Sequence, residues 1–375
     1  MRTTRLQVTL LDVVPSVVRV VDVPATATLP ELHNILQAAV GWSDTHLHQF
    51  LTDDTTYGMP DDDLVDLQQD ETGVRLRDLP DTFGYAYDLG DGWEHEVRVV
   101  GAGTGEPGCV YGEGACPPED CGGPAGYEHL LEVLADPAHE EYDDLRRWAG
   151  PRADFDQEET DRHVRQAVGE VPASVRMLLE LTAGGVKLTP GGRLPRVLVR
   201  QVQELRPSWY LLDRPASIEE DLLPLAVLHN IMRSVGLLRL SKGVLAPTKA
   251  AGDDVEVVRR LRTWFEPGAF AGVVTELVVA ELAAHGALHG DTLARRVHRL
   301  LGRGWFRGAE PLTDHDLRLV VAEMAAAMEG LDLVEVDEPV WRPGRSALSL
   351  LPRAAVLARS LAPRNDVGTA QLLTR

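Results

Sequence analysis

The chain of 375 residues has 44% hydrophobic and 25% charged residues, which is the composition of a globular protein and excludes a mostly disordered chain. No apolar run approaches about 18 residues, and the N-terminus lacks the apolar core of a signal peptide. We therefore expect a cytoplasmic, soluble protein with no membrane association.

The formal net charge of −21 is divided unequally along the sequence. Residues 1–170 contain 35 acidic and 11 basic residues, whereas residues 171–375 contain 23 acidic and 26 basic ones, so the two halves carry −24 and +3. Such a shift predicts two domains, 1–170 and 171–375. The acidic domain would repel nucleic-acid phosphates and favours a basic protein partner, whereas the second domain tolerates nucleic acid.

Polarity and capping patterns predict a β-hairpin and a helix at the start of the chain. Residues 4–12 alternate in polarity and residues 17–23 are rich in valine, which predicts a β-hairpin. Thr28 and Glu31 have the spacing of a capping box and precede an apolar stripe with helical period. Gly41 then supplies the left-handed residue that ends this helix.

A strand is predicted over residues 46–52, and a hairpin over residues 82–100. Two registers compete for the hairpin. A two-residue turn would pair Asp88 with His95, whereas a three-residue loop pairs Leu89 with Trp93 and places all apolar side chains on one face. We favour the second register because burial of one face sets the register of a strand pair.

The following segment, residues 109–127, is rich in glycine and proline and is predicted as a loop. Three short acidic helices are predicted after it, over residues 127–134, 140–148 and 158–168. The N-terminal half is therefore expected to be α+β, with a small mixed sheet and flanking helices.

The second half is predicted to be mainly helical. A capping box at Ser217 and Glu220 opens a helix that continues through Val235, and a hairpin follows over residues 237–248. A second helix over residues 314–328 is again followed by a hairpin, within residues 331–352. A helix followed by such a hairpin is the order of a winged helix, so we expect a helical domain with winged-helix character.

Several motifs of the first half resemble the plasmid pRiA4b ORF-3-like family over roughly residues 1–170. They are TLPELHNILQAAVGWSDTHLHQF (28–50), YDLGDGWEHEV (87–97), CPPEDCGGPAGYEHLLEVLADPAHEEY (116–142) and FDQEE (155–159). The resemblance implies a small α+β fold with a curved sheet flanked by helices. It also implies an association with mobile elements, because some members are labelled as passengers of an insertion element or as resolvases. Leu89 departs from the phenylalanine that the family usually shows, and the sequence has no catalytic-serine recombinase signature.

Thiols and imidazoles suggest a zinc site. Cys109, Cys116 and Cys121 together with His95 would supply the four ligands that structural zinc prefers, although neither cysteine spacing is a tight knuckle. Zinc is accordingly the one cofactor that the sequence suggests. Two alternatives remain open. Carboxylates of the 116–121 loop would ligate an ion with His95, or they would hold the turn by accepting backbone N–H bonds while the cysteines pack as small apolar groups.

A metal-dependent hydrolase or nuclease is the alternative function. It would require several polar side chains of the N-terminal half to converge on a cleft and bind a metal ion that keeps an open coordination position. The candidate catalytic residues are His46, His48, Asp88, Asp91, His95, Glu119 and Asp120.

Candidate nucleic-acid contacts lie in the second half, on a predicted helix that carries Arg295, Arg296, Arg299 and Arg303. No Walker lysine loop, HExxH motif, Gly-x-Ser-x-Gly elbow or Gly-x-Gly-x-x-Gly helix start occurs. We therefore favour a non-enzymatic binding or regulatory protein, in which an acidic interaction module is joined to a helical domain that binds nucleic acid or protein.

Overall fold

The computed structural model describes residues 1–59, 68–150, 155–210, 214–265, 268–301, 305–307 and 310–361. The chain divides into two compact units, an N-terminal unit of Met1–Val168 and a C-terminal unit of Gly169–Arg375. An eight-stranded sheet with helices forms the first unit, and the second is rich in helices with small sheets. The predicted α+β class is confirmed.

The sheet of the N-terminal unit is built almost entirely from antiparallel neighbours. Its strands are, in chain order, β1 (Thr3–Leu10), β2 (Val17–Pro24), β3 (His48–Leu51), β4 (Thr56–Gly58), β5 (Gln69–Asp70), β6 (Thr82–Tyr87), β7 (Trp93–Ala102) and β8 (Gly108–Glu113). They lie side by side in the order β5-β4-β3-β6-β7-β1-β2-β8, and the short β4–β5 pair is parallel. The predicted first hairpin is present as β1 and β2.

Four helices accompany this sheet in the described part of the unit: α1 (Leu29–Val40), α2 (Gly123–Ala135), α3 (Tyr142–Ala149) and α4 (Gln157–Val168). The first begins as its capping residues predict, because the Thr28 N–H donates to Glu31 Oε2 at 2.9 Å. It ends at Gly41, which has a φ of 93° and whose N–H donates to the Gln37 carbonyl. The apolar stripe of α1 is buried in the core of the unit.

The predicted register of the β6–β7 hairpin is wrong by two residues. Tyr87 lies opposite Trp93 and Tyr85 lies opposite His95, so residues 88–92 form a longer loop. The loop begins at Asp88 with a φ of 52°, and the Asp88 carboxylate accepts hydrogen bonds from two N–H groups inside the loop. The shift preserves side-chain parity, so the aromatic residues still share one buried face.

The 88–92 loop contacts the loop that precedes α2. Asp91 Oδ2 accepts a hydrogen bond of 3.0 Å from the Gly122 N–H. The next residue, Gly123, has a φ of 69°, and a Cβ at this position would overlap the carbonyl oxygen of Asp91. Only glycine fits here, because both the backbone conformation and the close approach exclude a side chain.

Two histidines, His33 of α1 and His48 of β3, stack in the interior of the unit. The rings of His33 and His48 stack with centroids 3.6 Å apart and planes 9° apart. His33 lies between the Tyr85 hydroxyl and the Asp44 carboxylate, at 2.8 Å from each, and His48 Nε2 lies 3.0 Å from Glu71 Oε2. Each ring thus has its own carboxylate, which compensates for the loss of water on burial.

His95 lies in the same core without a carboxylate. Its Nδ1 lies 3.1 Å from the Tyr85 carbonyl oxygen, which accepts a hydrogen bond from it, whereas its buried Nε2 has no hydrogen-bond partner. Burial lowers the pKa of His95 to about 4. The ring is therefore neutral at physiological pH.

The C-terminal unit contains helices and short strands in alternation. Its described helices are α5 (Ala173–Thr182), α6 (Arg196–Leu205), α7 (Leu223–Ser234), α8 (Asp254–Arg262), α9 (Phe270–His285), α10 (Gly290–Leu301), α11 (Asp314–Gly330) and α12 (Pro352–Leu361). Its strands are β9 (Val186–Lys187), β10 (Leu238–Ser241), β11 (Val244–Pro247), β12 (Leu288–His289), β13 (Phe306–Arg307), β14 (Glu310–Pro311), β15 (Val334–Asp337) and β16 (Val340–Pro343).

These strands form three small antiparallel sheets, β10-β11-β9, β12-β16-β15 and β13-β14. Both predicted hairpins are present, as β10–β11 and β15–β16. The capping prediction at Ser217 and Glu220 is wrong in detail. Asp221 accepts the Ser217 N–H at 2.7 Å, and α7 begins later, at Leu223. In the described residues, no helix combines the length and apolarity needed to cross a membrane.

The contact between the two loops predicts a stability difference between two glycine substitutions. We expect Gly123→Ala to lower the free energy of unfolding by about 1–3 kcal/mol more than Gly92→Ala. Both glycines have a φ near 70°, but a Cβ on Gly92 enters open space, whereas one on Gly123 meets Asp91. Urea denaturation of the two variants checks this, and equal losses of stability would contradict the close approach of the loops.

The neutral His95 predicts a pH dependence of stability. As the pH falls from about 6.5 to 4, unfolded chains bind a proton at this ring that folded chains do not, so acidification destabilises the fold. We expect His95→Phe to remove up to about 3 kcal/mol of this pH-dependent loss. Urea denaturation between pH 7 and pH 4 measures the slope, with the exposed His129→Phe as control. Parallel slopes for His95→Phe and the wild type would contradict the assignment.

Candidate metal centre

Side chains from three distant segments converge at one end of the N-terminal sheet. His46 Nε2 lies 3.5 Å from Asp88 Oδ2 and 3.1 Å from Asp120 Oδ1. One ligand atom from each residue lies within 4.8 Å of the other two. In the portion of the chain described by the structure, this is the one group of three or more His, Cys, Asp or Glu side chains with such a spacing.

The nitrogen–oxygen separations match those between ligands of one metal ion. Metal–nitrogen and metal–oxygen bonds of about 2.0–2.2 Å place neighbouring ligand atoms roughly 2.8–3.6 Å apart in octahedral or tetrahedral geometry. His46 Nε2 is shielded from solvent, and neither nearby carboxylate is oriented to form a hydrogen bond with it. A buried polar atom without a partner is uncommon in a folded protein, and an ion between these groups would satisfy it.

His46 is positioned by the end of β6. It lies between α1 and β3, and its ring makes an edge contact with Tyr87 at a centroid distance of 5.8 Å. The neighbouring Thr45 N–H donates to the Tyr87 hydroxyl at 3.0 Å, and the Asp88 N–H donates to the Leu47 carbonyl at 2.9 Å. Backbone contacts on both sides of His46 therefore fix the segment against the residue that supplies the first carboxylate.

The two carboxylate oxygens of Asp88 have different surroundings. Its Oδ1 accepts the N–H groups of Gly90 and Asp91, which leaves Oδ2 directed towards His46. Asp120 has a φ of 59°, and its side chain is 70% exposed. The group therefore has a shielded side, at His46 and Asp88, and an open side at Asp120.

Glu119 anchors the loop that carries Asp120. One of its oxygens accepts a hydrogen bond of 2.5 Å from the Tyr87 hydroxyl, and the other accepts the N–H of Ser43 at 2.8 Å together with its hydroxyl. Burial and the adjacent Glu119 carboxylate raise the pKa of Tyr87, so that its hydroxyl remains a donor. Trp42 Nε1 adds a hydrogen bond of 2.9 Å to the Pro117 carbonyl.

The predicted thiol site is not assembled. Among the described residues, no three ligand atoms of Cys109, Cys116, Cys121 and His95 come close enough to form a candidate group. Burial raises the pKa of Cys109 to about 11 and that of Cys116 to about 12, so both are neutral thiols at physiological pH. Cys109 Sγ donates to the Tyr111 carbonyl. Cys109 belongs to the core of the unit, and the partly buried Cys116 and Cys121 pack against that core.

The structure brings together three of the seven candidate catalytic residues and separates the others. His48 is paired with Glu71 inside the core, and His95 faces the core of the sheet without a carboxylate. Asp91 holds the loop before α2, and Glu119 holds the loop that carries Asp120. The side chains of these four residues contact other parts of the fold and do not lie among the converging ligand atoms.

Three of the four candidate nucleic-acid arginines lie on α10, in unequal environments. Arg295 and Arg299 are exposed, whereas Arg296 forms an ion pair of 2.6 Å with the buried Glu281. Arg303 lies outside the described residues. Two of the four arginines are thus seen to be available at the surface of this helix.

All three converging ligands are among the residues predicted from the sequence, but the side chains that position them are not. Tyr87, Ser43 and Trp42 have no predicted role beyond their membership of the family motifs 87–97 and 28–50. Their contacts join segments more than 40 residues apart in the chain, for which a single sequence gives no local signal. The one available hint was that Ser43 and Trp42 belong to a segment that carries the family resemblance.

The comparisons with known proteins concern the N-terminal half. The sequence model of the family described as plasmid pRiA4b ORF-3-like protein matches residues 2–164. An uncharacterized protein, y4hQ, of Sinorhizobium fredii strain NGR234 is 44% identical over 161 residues, which are 40% of this chain and 82% of that protein. A crystal structure of a protein of unknown function from Methanosarcina mazei Go1 is 32% identical, with a TM-score of 0.39, and the match covers 42% of this chain and 97% of that one.

The family model and the relative from Sinorhizobium fredii confirm the predicted family resemblance. Three of the motifs that carried it each supply one member of the converging group, His46, Asp88 or Asp120. The chain belongs to the plasmid pRiA4b ORF-3-like family.

Proposed function

We propose that this protein is a binding protein whose N-terminal unit holds a divalent transition-metal ion at His46, Asp88 and Asp120. The observation that carries the proposal is the convergence of one imidazole nitrogen and two carboxylate oxygens, with the nitrogen shielded from solvent and without a hydrogen bond. Neutral imidazole and ionised carboxylate are metal ligands at physiological pH without further activation.

The donor set indicates which ions to test. Imidazole suits zinc and iron, whereas carboxylates suit manganese and magnesium. One nitrogen and two oxygens therefore favour Zn²⁺ or Mn²⁺ over Mg²⁺, which prefers oxygen ligands alone and retains several waters. The net charge of −24 over residues 1–170 additionally attracts cations to this half of the protein.

The site would have room for a further ligand. Three protein ligands leave at least one coordination position, and the exposed Asp120 side chain places the open side towards solvent. That position would accept water or a donor group of a bound partner. The arrangement thus fits a module that binds a partner through a metal ion. The acidic charge of this half also favours binding of a basic partner.

A binding function is better supported than metal-dependent hydrolysis, because the carboxylates of Glu119 and Asp91 near the candidate metal centre already accept hydrogen bonds. A hydrolase needs a free general base next to the metal-bound water. Both oxygens of Glu119 accept hydrogen bonds from Tyr87 and Ser43, and Asp91 accepts one from Gly122. Using either group as a base would require breaking contacts that hold the loops in place.

Removal of a ligand should abolish tight metal binding. We expect about one Zn²⁺ or Mn²⁺ per chain in the wild type, and His46→Gln or Asp88→Asn should weaken the affinity at least about 100-fold, since even residues beyond the ligands change metal affinity by about 10–100-fold. Isothermal titration calorimetry on metal-free, full-length protein gives the affinity and stoichiometry.

Two further variants separate this site from other metal-binding groups. His129→Gln removes an exposed histidine paired with Glu141 and should leave the affinity unchanged. Cys116→Ser should also leave it unchanged if the thiols do not bind the ion. A loss of affinity in Cys116→Ser, with retention in His46→Gln, would contradict the proposal and favour the zinc site of cysteines and His95.

A further inference from the structure

The C-terminal unit contains the same arrangement twice. The order helix, short strand, helix, helix and two-stranded ribbon occurs as α5-β9-α6-α7-β10-β11 and again as α9-β12-α10-α11-β15-β16, with the β13–β14 pair inserted before α11. In each case the short strand pairs with the second strand of the ribbon. This is the order of elements in a winged helix.

The two copies agree at the level of individual residues. The ribbon strand that begins at Leu238 corresponds to the one that begins at Val334, 96 positions later. The Leu237 N–H donates to the Met232 carbonyl at 2.8 Å, and the Leu333 N–H donates to the Met328 carbonyl at the same distance. These pairs are again 96 positions apart, so equivalent side chains of the two ribbons can be compared directly.

The two ribbons have the same buried face. Leu238 and Leu245 of the first ribbon are buried in the core, as are Val334 and Trp341 at the equivalent positions of the second. Because strand side chains alternate between faces, the intervening residues lie on the outer face of each ribbon.

The outer faces have opposite charge. Arg239, Lys242 at the turn and Lys187 on the adjoining β9 give the first ribbon three exposed cations without an acidic side chain among them. The positions equivalent to Arg239 and Lys242 are Glu335 and Glu338 in the second ribbon. Within the described residues, none of the three cations forms an ion pair.

The second ribbon carries a third acidic residue on its outer face. Asp337 replaces Ser241, and its carboxylate is 3.7 Å from Arg342, the one arginine on this ribbon. A pair of equivalent ribbons that differ in charge indicates two different roles. An anionic partner can approach the outer face of the first ribbon, whereas the outer face of the second would repel it.

We propose that the β10–β11 ribbon binds the phosphate backbone of double-stranded DNA through Lys187, Arg239 and Lys242. A two-stranded ribbon fits the major groove of a duplex, and lysine and arginine on it neutralise phosphates. The surface formed by α10 and α11 is a weaker candidate. Arg296 of α10 forms an ion pair with Glu281, and Arg318 of α11 lies 3.1 Å from Asp291, so that Arg295 and Arg299 are the exposed arginines of α10. This inference is independent of the metal site.

The test uses the full-length protein and a labelled random-sequence DNA duplex of about 24 base pairs, with binding followed by fluorescence anisotropy from low to physiological salt. The variant K187E/R239E/K242E should bind at least about 100-fold more weakly at low salt and should lower the slope of log K against log salt by nearly three. The variant R295E/R299E/R318E changes the net charge equally and should stay within about three-fold of the wild type.

Three results of this experiment would overturn the proposal. They are a wild type that does not bind the duplex, a ribbon variant that binds like the wild type, and an α10–α11 variant that loses as much affinity as the ribbon variant. Circular dichroism and thermal unfolding show whether each variant is folded. If charge reversal prevents folding, K187S/R239S/K242S provides the same comparison, with a loss of about 10-fold or more as the supporting result.

Discussion

The hydrogen bonds of the Glu119 carboxylate hold together the part of the N-terminal unit on which the candidate metal centre depends. This side chain joins the segment after α1, through Ser43, to the end of β6, through the Tyr87 hydroxyl. Because Asp120 follows Glu119 directly, the same contacts bring its carboxylate towards His46. A partly buried carboxylate with donors on both oxygens is a stable anchor, since loss of any donor would leave a charge incompletely solvated.

Local features of this fold follow from the sequence, whereas the contacts between distant segments do not. The helix α1 begins at its capping box and ends at its glycine because these signals lie within a few residues of the backbone groups they satisfy. The β6–β7 hairpin shows the limit of such reasoning. Its buried face was predicted from side-chain parity, but its register was not, because Asp88 opens a longer loop through its own carboxylate.

The candidate site illustrates the same division. His46, Asp88 and Asp120 were recognisable as potential ligands from residue type and motif, but their convergence depends on Tyr87 and Glu119, which lie 32 positions apart. The thiols were the more obvious ligands in the sequence. In the structure Cys109 lies in the core with Cys116 and Cys121 packed against it, and burial raises the pKa of all three thiols.

The two halves of the chain differ in the chemistry that their charges favour. Residues 1–170 carry −24, which suits cations and basic partners, whereas residues 171–375 carry +3 and contain one ribbon with unpaired cations in the described structure. The recurrence of a helix and a hairpin is visible in the sequence of the C-terminal unit, but the residue-by-residue correspondence of the two ribbons comes from their strand pairing, because the ribbons differ in sequence and in charge. A change of charge on a retained backbone is consistent with separate roles for the two copies.

If a metal ion is held by His46, Asp88 and Asp120, its ligand atoms are nitrogen and oxygen. X-ray absorption spectroscopy at the zinc edge of the zinc-loaded, full-length protein identifies these atoms. We expect nitrogen and oxygen at about 2.0–2.2 Å from the ion, without sulfur. Sulfur scattering at about 2.3 Å would contradict this expectation and would assign the ion to the cysteines.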